Sequence, residues 1–177
     1  TSLRANLFME ELWKHYTRPS ILKGKFPFST PSERLIYLTS VRDMGRLAGT
    51  CLSQGRSTAG RTINVAGDVL TAGSVADAFA KAQKSSCVHS KGRFMAFLTR
   101  FFFRDLYQQI RFYRRSTETT DIQSLKEEFP GLLTDFDTFL DETDWGNQEL
   151  TFENFMEVDR MEGMVGDSVS DKKMAGK

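Results

Sequence analysis

The sequence predicts an α/β protein that is rich in helices and has few strands. Two apolar segments of strand length, 35–38 and 62–66, stand among five or six segments with helical spacing. The second strand runs into Gly67-Asp68 and then into an Ala-rich helix, for which Thr71 is the predicted N-cap. A strand that turns sharply into a helix is half of a βαβ unit, and such a unit needs a sheet to join.

Composition narrows the class of protein. The chain has 177 residues, of which 40% are hydrophobic and 27% charged, and a net charge of +1, so it can form one domain with a core. Near-neutral charge gives no general attraction to nucleic acid, and no apolar run is long enough to cross a membrane. Cys51 and Cys87 are too few for a disulfide framework, which predicts reduced thiols in a cytoplasmic protein.

The N-terminal third predicts a helix, loops and a strand. Residues 1–3 are interpreted as the end of a strand, and residues 5–15 have helical spacing up to Thr17-Arg18-Pro19. Short extended pieces are predicted at 21–22 and 26–28, before the strand 35–38. Ser40 then opens a helix, with Asp43 three residues later as the second member of a capping box. A polar loop is predicted at 54–61.

The middle of the chain predicts two helices. The first, 74–83, follows Gly67-Asp68, where we expect Gly67 to serve the turn and Asp68 to form local hydrogen bonds. A loop at 84–92 leads to a long helix at 93–115. Its arginines fall within a narrow arc, which is the pattern of a solvated face, or of a surface for an acidic partner or nucleic acid. They are Arg93, Arg100, Arg104, Arg111 and Arg115.

The C-terminal third predicts short capped helices. Asp121 caps one that Pro130-Gly131 ends, and Thr134 with Asp137 forms a second capping box. A weak helix is expected near 152–161, followed by a disordered tail. We therefore expect a domain at 1–146 and a separate segment at 147–177.

Familiar catalytic and cofactor motifs are missing from the sequence. His15 and His89 are the only histidines, and neither belongs to a pattern typical of a triad or metal site. The chain contains neither Gly-x-Gly-x-x-Gly nor Tyr-x-x-x-Lys, so we expect it to bind no dinucleotide by itself.

Four segments, in order, resemble the C-terminal half of the NmrA-like family, an atypical branch of the short-chain dehydrogenase/reductase superfamily. Residues 4–11 are similar to the family's Arg-Pro-x-x-Phe-Met-Glu-Asn, with Ala5 and Glu11 departing from it. Residues 38–45 resemble its Val-x-Asp-Ile-Gly helix start, and residues 63–71 its strand-Gly-Asp-x-Leu-Thr segment. Residues 121–145 are similar to its closing Pro-Gly-Leu…Trp-Leu helices.

The resemblance implies the C-terminal, cleft-wall part of a Rossmann-like NAD(P)-binding fold, with the N-terminal Rossmann half missing from this chain. Asn6, Leu7 and Phe8 would then contact NADP or NAD, and Phe8, Met9 and Tyr37 would line the substrate cleft. Family members are redox-sensing regulators, including transcriptional ones, that bind protein partners, or oxidoreductases acting on small organic substrates. We expect a regulator, with a reductase and a stand-alone helical interaction module as alternatives.

Overall fold

The computed structural model describes residues 1–91, 107–108, 111 and 119–154. The chain divides into two compact units, Thr1–Gly146 and Asn147–Lys177. In the second unit residues 152–154 are helical, and the Thr151 hydroxyl accepts a hydrogen bond from the Asn154 N–H. The rest of the predicted tail lies outside the described residues.

Seven strands and five α-helices lie in the described part of the first unit. The strands are β1 (Ser2–Ala5), β2 (Leu7–Phe8), β3 (Lys25–Pro27), β4 (Leu35–Thr39), β5 (Thr62–Val65), β6 (Asp68–Thr71) and β7 (Val88–Ser90). The helices are α1 (Arg18–Leu22), α2 (Val41–Gln54), α3 (Ala72–Ala82), α4 (Ile122–Glu128) and α5 (Phe136–Glu142). Short 3-10 helices, Met9–Trp13 and Gly55–Thr58, follow β2 and α2. The α/β class is confirmed, but the prediction of few strands is wrong.

None of the described helices is both long and apolar enough to cross a membrane. The predicted long helix with its arginine stripe lies outside the described residues, apart from residues 107, 108 and 111. Of the five stripe arginines the structure therefore describes Arg111, whose side chain is exposed.

The described strands form three small sheets. β1 and β5 pair in parallel from Ser2↔Thr62 to Ala5↔Val65. β4 is the middle strand of a second sheet, where it pairs in parallel with β2 and antiparallel with β6. Two bonds connect β4 to the end of β5 and to the residue before β6: the Thr39 hydroxyl donates to the Val65 carbonyl at 2.7 Å, and the Gly67 N–H donates to the Leu38 carbonyl at 2.8 Å. β3 and β7 form a separate parallel pair.

At the N-terminus, strand pairing overrides the helical spacing of the apolar residues. The helix predicted at 5–15 is wrong, because β1 and β2 occupy its first part and only Met9–Trp13 turns helically. Pro19 does not end a helix but lies in the first turn of α1, where its missing N–H costs nothing. The extended piece predicted at 21–22 is therefore helical, whereas β3 matches the piece predicted at 26–28.

Besides β2, two strands are missing from the sequence prediction. β6 follows directly after Gly67, where the sequence predicts only a step from the strand to the helix. β7 lies inside the predicted loop at 84–92, where it pairs with β3. The Val88 N–H also donates to the Gly24 carbonyl at 3.0 Å. Both strands are short, so they have little periodicity of their own, and distant partners define them.

The predicted N-caps are confirmed at three helices. Ser40 accepts from the Arg42 N–H at 3.2 Å, Thr71 from the Ser74 N–H at 3.0 Å, and Asp121 from the Ser124 N–H at 3.1 Å. These bonds span two or three residues, so a local pattern is enough to predict them.

Both predicted capping boxes are wrong. The Asp43 carboxylate does not return to Ser40 but accepts two bonds from Thr134, from its N–H at 2.7 Å and from its hydroxyl at 2.9 Å. Because Thr134 is engaged in this way, Asp135 is the N-cap of α5 and accepts from the Thr138 N–H at 2.8 Å. Asp137 instead forms an ion pair with Lys81.

Two groups of apolar side chains form the core of the first unit. One lies between α2, β5 and α4, and its buried members are Leu47, Cys51, Ile63, Val65, Leu125 and Phe129. The other is aromatic and consists of Trp13, Phe26, Phe79, Phe136 and Trp145, each at most 1% exposed. The Phe79 and Trp145 rings are 4.6 Å apart between centroids, which gives this group close aromatic packing.

Candidate functional site

The carboxyl ends of β2 and β4 lie side by side. Leu7 pairs with Leu38 and Phe8 with Thr39, in parallel register. Each strand passes directly into a helical segment, Met9–Trp13 after β2 and α2 after β4. In open α/β sheets ligands bind outside the carboxyl ends of the strands. Of the residues predicted to contact a cofactor, Leu7 and Phe8 form β2 at this edge, and Asn6 comes just before β2.

Two of the predicted cleft residues share one face of the sheet. Paired neighbours point to the same side of a sheet and alternate residues of a strand do so too, so Phe8, Thr39 and Tyr37 lie on one face. Tyr37 pairs with Val69 of β6, which extends this face. The Phe8, Tyr37 and Val69 side chains are half-buried, so together they form a partly accessible, largely apolar surface.

The other predicted site residues differ in their access to solvent. Asn6, between β1 and β2, is half-buried. Leu7 is 8% exposed and lies on the opposite sheet face, and Met9 is fully buried. The structure thus brings Phe8 and Tyr37 together but leaves Met9 in the interior. The assignment of these five residues to a cofactor and a substrate cleft stays a prediction.

Glu10 is a residue at this edge that the sequence analysis did not single out. Its side chain is 6% exposed, and its Oε1 accepts from the Ser40 hydroxyl at 3.0 Å and from the Val41 N–H at 2.9 Å. A helix N-terminus attracts anions, and here a carboxylate of the same chain occupies the start of α2. The available signal was its place in the segment 4–11, next to the predicted site residues.

A histidine–serine pair lies elsewhere, beside the β3–β7 pair. A carbonyl can only accept, so His89 Nε2 carries the proton that bonds the Phe28 carbonyl at 2.6 Å. The Ser32 hydroxyl is 3.1 Å from His89 Nδ1. These contacts join the segment that follows β3 to strand β7. Within the described ranges, no three His, Cys, Asp or Glu side chains are grouped so that they could hold a metal ion.

An acidic groove of about 440 Å³ opens between β6, α3 and α5. Three of its four carboxylates, all except Asp77, have hydrogen-bond or ion-pair partners recorded within the chain. Asp68 accepts from the Val69 and Phe136 N–H groups, Asp135 caps α5, and Asp137 pairs with Lys81 at 2.7 Å. A smaller groove of about 200 Å³ lies beside β5 and includes the Arg61–Glu128 ion pair. Neither groove includes the predicted site residues.

Comparison with known proteins supports the fold but no family. No family model matches the chain, and no curated protein sequence matches it. Among solved structures, the chain is similar to a nucleoside-diphosphate-sugar epimerase from Staphylococcus aureus, with 14% sequence identity and a TM-score of 0.58. The similarity covers 78% of this chain and 50% of that one, so the chain spans about half the length of the epimerase.

Proposed function

We propose that this chain is the C-terminal, cleft-wall portion of an NmrA-like protein that binds NADP or NAD and acts in the cytoplasm as a redox-sensing regulator. The supporting observation is the partly accessible face of Phe8 and Tyr37 at the carboxyl ends of β2 and β4. It occurs in a fold similar to half of an epimerase chain. The remaining Rossmann half would precede Thr1.

The described residues fit the ring end of a dinucleotide better than its phosphates. The Phe8 side chain offers an apolar surface to a planar ring, and the Asn6 amide offers a donor and an acceptor for hydrogen bonds. The start of α2, a ready place for phosphate, is already occupied by the Glu10 carboxylate. The proposed protein therefore holds its pyrophosphate on the upstream half and uses this chain as a wall.

The outer edge of β1 supports a place for that upstream half. The Ser2 N–H donates to the Arg61 carbonyl at 2.8 Å, so Ser2 and Arg4 direct their peptide groups toward β5. Alternation along a strand then turns the peptide groups of Leu3 and Ala5 toward the opposite edge. Within the described ranges β1 pairs with β5 alone, and an added parallel strand would continue the sheet.

A reductase is the second candidate, and Tyr37 is the observation that favours it. Its hydroxyl belongs to a half-buried side chain on the same sheet face as Phe8, where it could donate a proton to a substrate. Turnover distinguishes the two functions. A regulator binds NADPH and NADP⁺ with different affinities without consuming NADPH, whereas a reductase oxidises NADPH with a carbonyl substrate and loses that activity in Tyr37→Phe.

Cofactor titration of two proteins tests the proposal: residues 1–177 alone, and the same residues expressed with the reading frame upstream of Thr1. We expect the longer protein to bind NADPH at micromolar concentration and the shorter one not to bind at millimolar concentration. Micromolar binding by residues 1–177 alone would overturn the proposal. So would an upstream frame without a Gly-rich strand–turn–helix.

Variants of the longer protein locate the contact. Asn6→Ala and Phe8→Ala should each weaken NADPH binding about tenfold, the effect of losing one good polar or stacking contact. Leu52→Ala is the matched control, because Leu52 is 82% exposed on α2 and belongs to no part of the proposed wall. Equal affinities for all three variants would exclude a cofactor contact at this edge.

A further inference from the structure

We infer that Glu10 is the positioning residue of the proposed cofactor wall: its carboxylate ties the end of β2 to the start of α2 and so holds Asn6 and Phe8 in place. The inference rests on the proposed function. It adds a residue that is not itself part of the wall and gives it a physical role.

The bonds around Glu10 form a directed chain. A carboxylate only accepts hydrogen bonds, so the Ser40 hydroxyl must be the donor in its bond to Glu10 Oε1, at 3.0 Å. The lone pairs of the same hydroxyl then remain for the Arg42 N–H, at 3.2 Å. The Val41 N–H donates to Glu10 Oε1 directly, at 2.9 Å. One carboxylate thus satisfies a first-turn N–H of α2 and orients the N-cap that satisfies another.

Burial makes this chain of bonds effective. Glu10 is 6% exposed and Ser40 is 2% exposed, so water competes little for either group. Hydrogen bonds to a charged acceptor are about twice as strong as neutral ones. The positive end of the α2 dipole adds attraction for the carboxylate. A break in these bonds would leave buried donors unsatisfied, so the two segments are held together firmly.

The position of Glu10 in the chain connects these hydrogen bonds to the proposed cofactor wall. Glu10 lies two residues after Phe8, in the short 3-10 helix that β2 enters. β2 has only two residues, and its pairing with Leu38 and Thr39 is correspondingly short. Such a strand needs an anchor beyond its end to keep one register and one direction. Glu10 supplies that anchor at the point where Phe8 meets the carboxyl edge.

Three variants separate positioning from general stability. Glu10→Ala removes both bonds, whereas Glu10→Gln keeps an acceptor oxygen of the same reach for Ser40 and Val41. Asp43→Ala is the control, because it also removes a buried carboxylate from the start of α2, one that bonds Thr134 instead. All three are prepared in the longer protein, and NADPH affinity is measured together with the thermal midpoint.

We expect Glu10→Ala to weaken NADPH binding about tenfold, Glu10→Gln to restore most of it, and Asp43→Ala to lower the midpoint while leaving the affinity within about twofold. Unchanged affinity in Glu10→Ala would overturn the inference. An equal loss in Asp43→Ala would do so too, because the effect would then follow stability alone.

Amide hydrogen exchange on residues 1–177 gives a readout that needs no cofactor. Glu10→Ala should speed exchange at Val41 and at Leu7–Phe8 about tenfold, and Glu10→Gln should not. Unchanged exchange in Glu10→Ala would overturn the anchoring role. Failure of the wild-type longer protein to bind NADPH would instead overturn the proposed function, while the exchange measurement would still decide whether Glu10 holds the strand end.

Discussion

The backbone of Gly67 lies directly against the carbonyl group of Thr134: a Cβ atom on Gly67 would be 2.0 Å from that oxygen. On either side of this contact, Asp43 binds the Thr134 N–H and Asp68 accepts from the Phe136 N–H at 3.0 Å. The segment that leads into α5 therefore lies directly against the chain between β5 and β6. Gly67 does not adopt a positive φ, so the expected need for a turn is not its reason for being glycine.

Gly67→Ala should lower the free energy of unfolding by about 3 kcal/mol, because the neighbouring atoms are backbone and cannot move aside. Gly45→Ala is the control, since nothing lies within 4 Å of its Cβ position and it belongs to the interior of α2. It should raise stability by about 0.5–1 kcal/mol. Urea unfolding of both variants checks this; a loss in Gly67→Ala no larger than about 0.5 kcal/mol would contradict the close approach.

Asp43 should make stability fall as the pH rises from acid. Burial raises the pKa of the Asp43 carboxyl above its ordinary value of 3.8, and the bonds from Thr134 oppose the rise. Between the two pKa values the folded state binds more protons than the unfolded state, so this stabilising contribution is present below 3.8 and is lost as the pH rises through the folded pKa.

The measurement is urea unfolding of the wild type and Asp43→Asn from about pH 3 to about pH 7. Titrations shared by the two proteins cancel in the difference. We expect the wild type to lose stability relative to Asp43→Asn as the pH rises. A difference that does not change with pH would show that Asp43 titrates at its ordinary value.

Arg18→Lys should destabilise the protein by about 2 kcal/mol, the size of a desolvated cation–π contact. The guanidinium lies 4.0 Å from the Trp13 ring centroid and 5.3 Å from that of Trp145, and it donates to the Trp145 carbonyl at 3.1 Å. An ammonium group cannot stack and bond in the same way. Burial also lowers the pKa of the Arg18 guanidinium, because it disfavours the charged form. Burial disfavours a lysine ammonium more, since an ammonium is more strongly hydrated than a guanidinium.

Tryptophan fluorescence monitors this substitution locally, because both tryptophans of the chain contact Arg18. We expect the emission of folded Arg18→Lys to change and its urea midpoint to fall. Arg56→Lys serves as the control, because Arg56 is an exposed residue of the 3-10 helix Gly55–Thr58, and it should leave both unchanged. Identical midpoints for the two variants would show that the stacked arrangement adds no stability.

Thr39→Val should lower the free energy of unfolding by about 1–2 kcal/mol, because the fully buried hydroxyl donates to the Val65 carbonyl and so joins β4 to the end of β5. Thr39→Ser retains the donor and loses only a methyl group, so it should cost less. Thermal unfolding of both variants provides the comparison. If Thr39→Ser were the less stable of the two, packing rather than the hydrogen bond would hold β4 against the end of β5.

Local patterns were sufficient where cause and effect lie close together in the chain. The strand at β4, the helix after Ser40 and the caps at Thr71 and Asp121 each depend on residues within a few positions. The same patterns failed at β2, β6 and β7, because strand pairing over long distances overrode or replaced the local preference. At the candidate site the sequence located the segment around Phe8 but missed Glu10, whose partners are about thirty residues away.

By itself, the sequence determined the α/β class, the strands 35–38 and 62–66 and the three helix starts, because periodicity and capping act over a few neighbouring residues. Only the tertiary structure decided which residue Asp43 binds, why position 67 must be glycine, and that Phe8 and Tyr37 share a face while Met9 is buried. Each of these depends on segments distant in the chain that meet only after the sheet has formed. Thr134 is 91 residues from Asp43, and no local pattern encodes that contact.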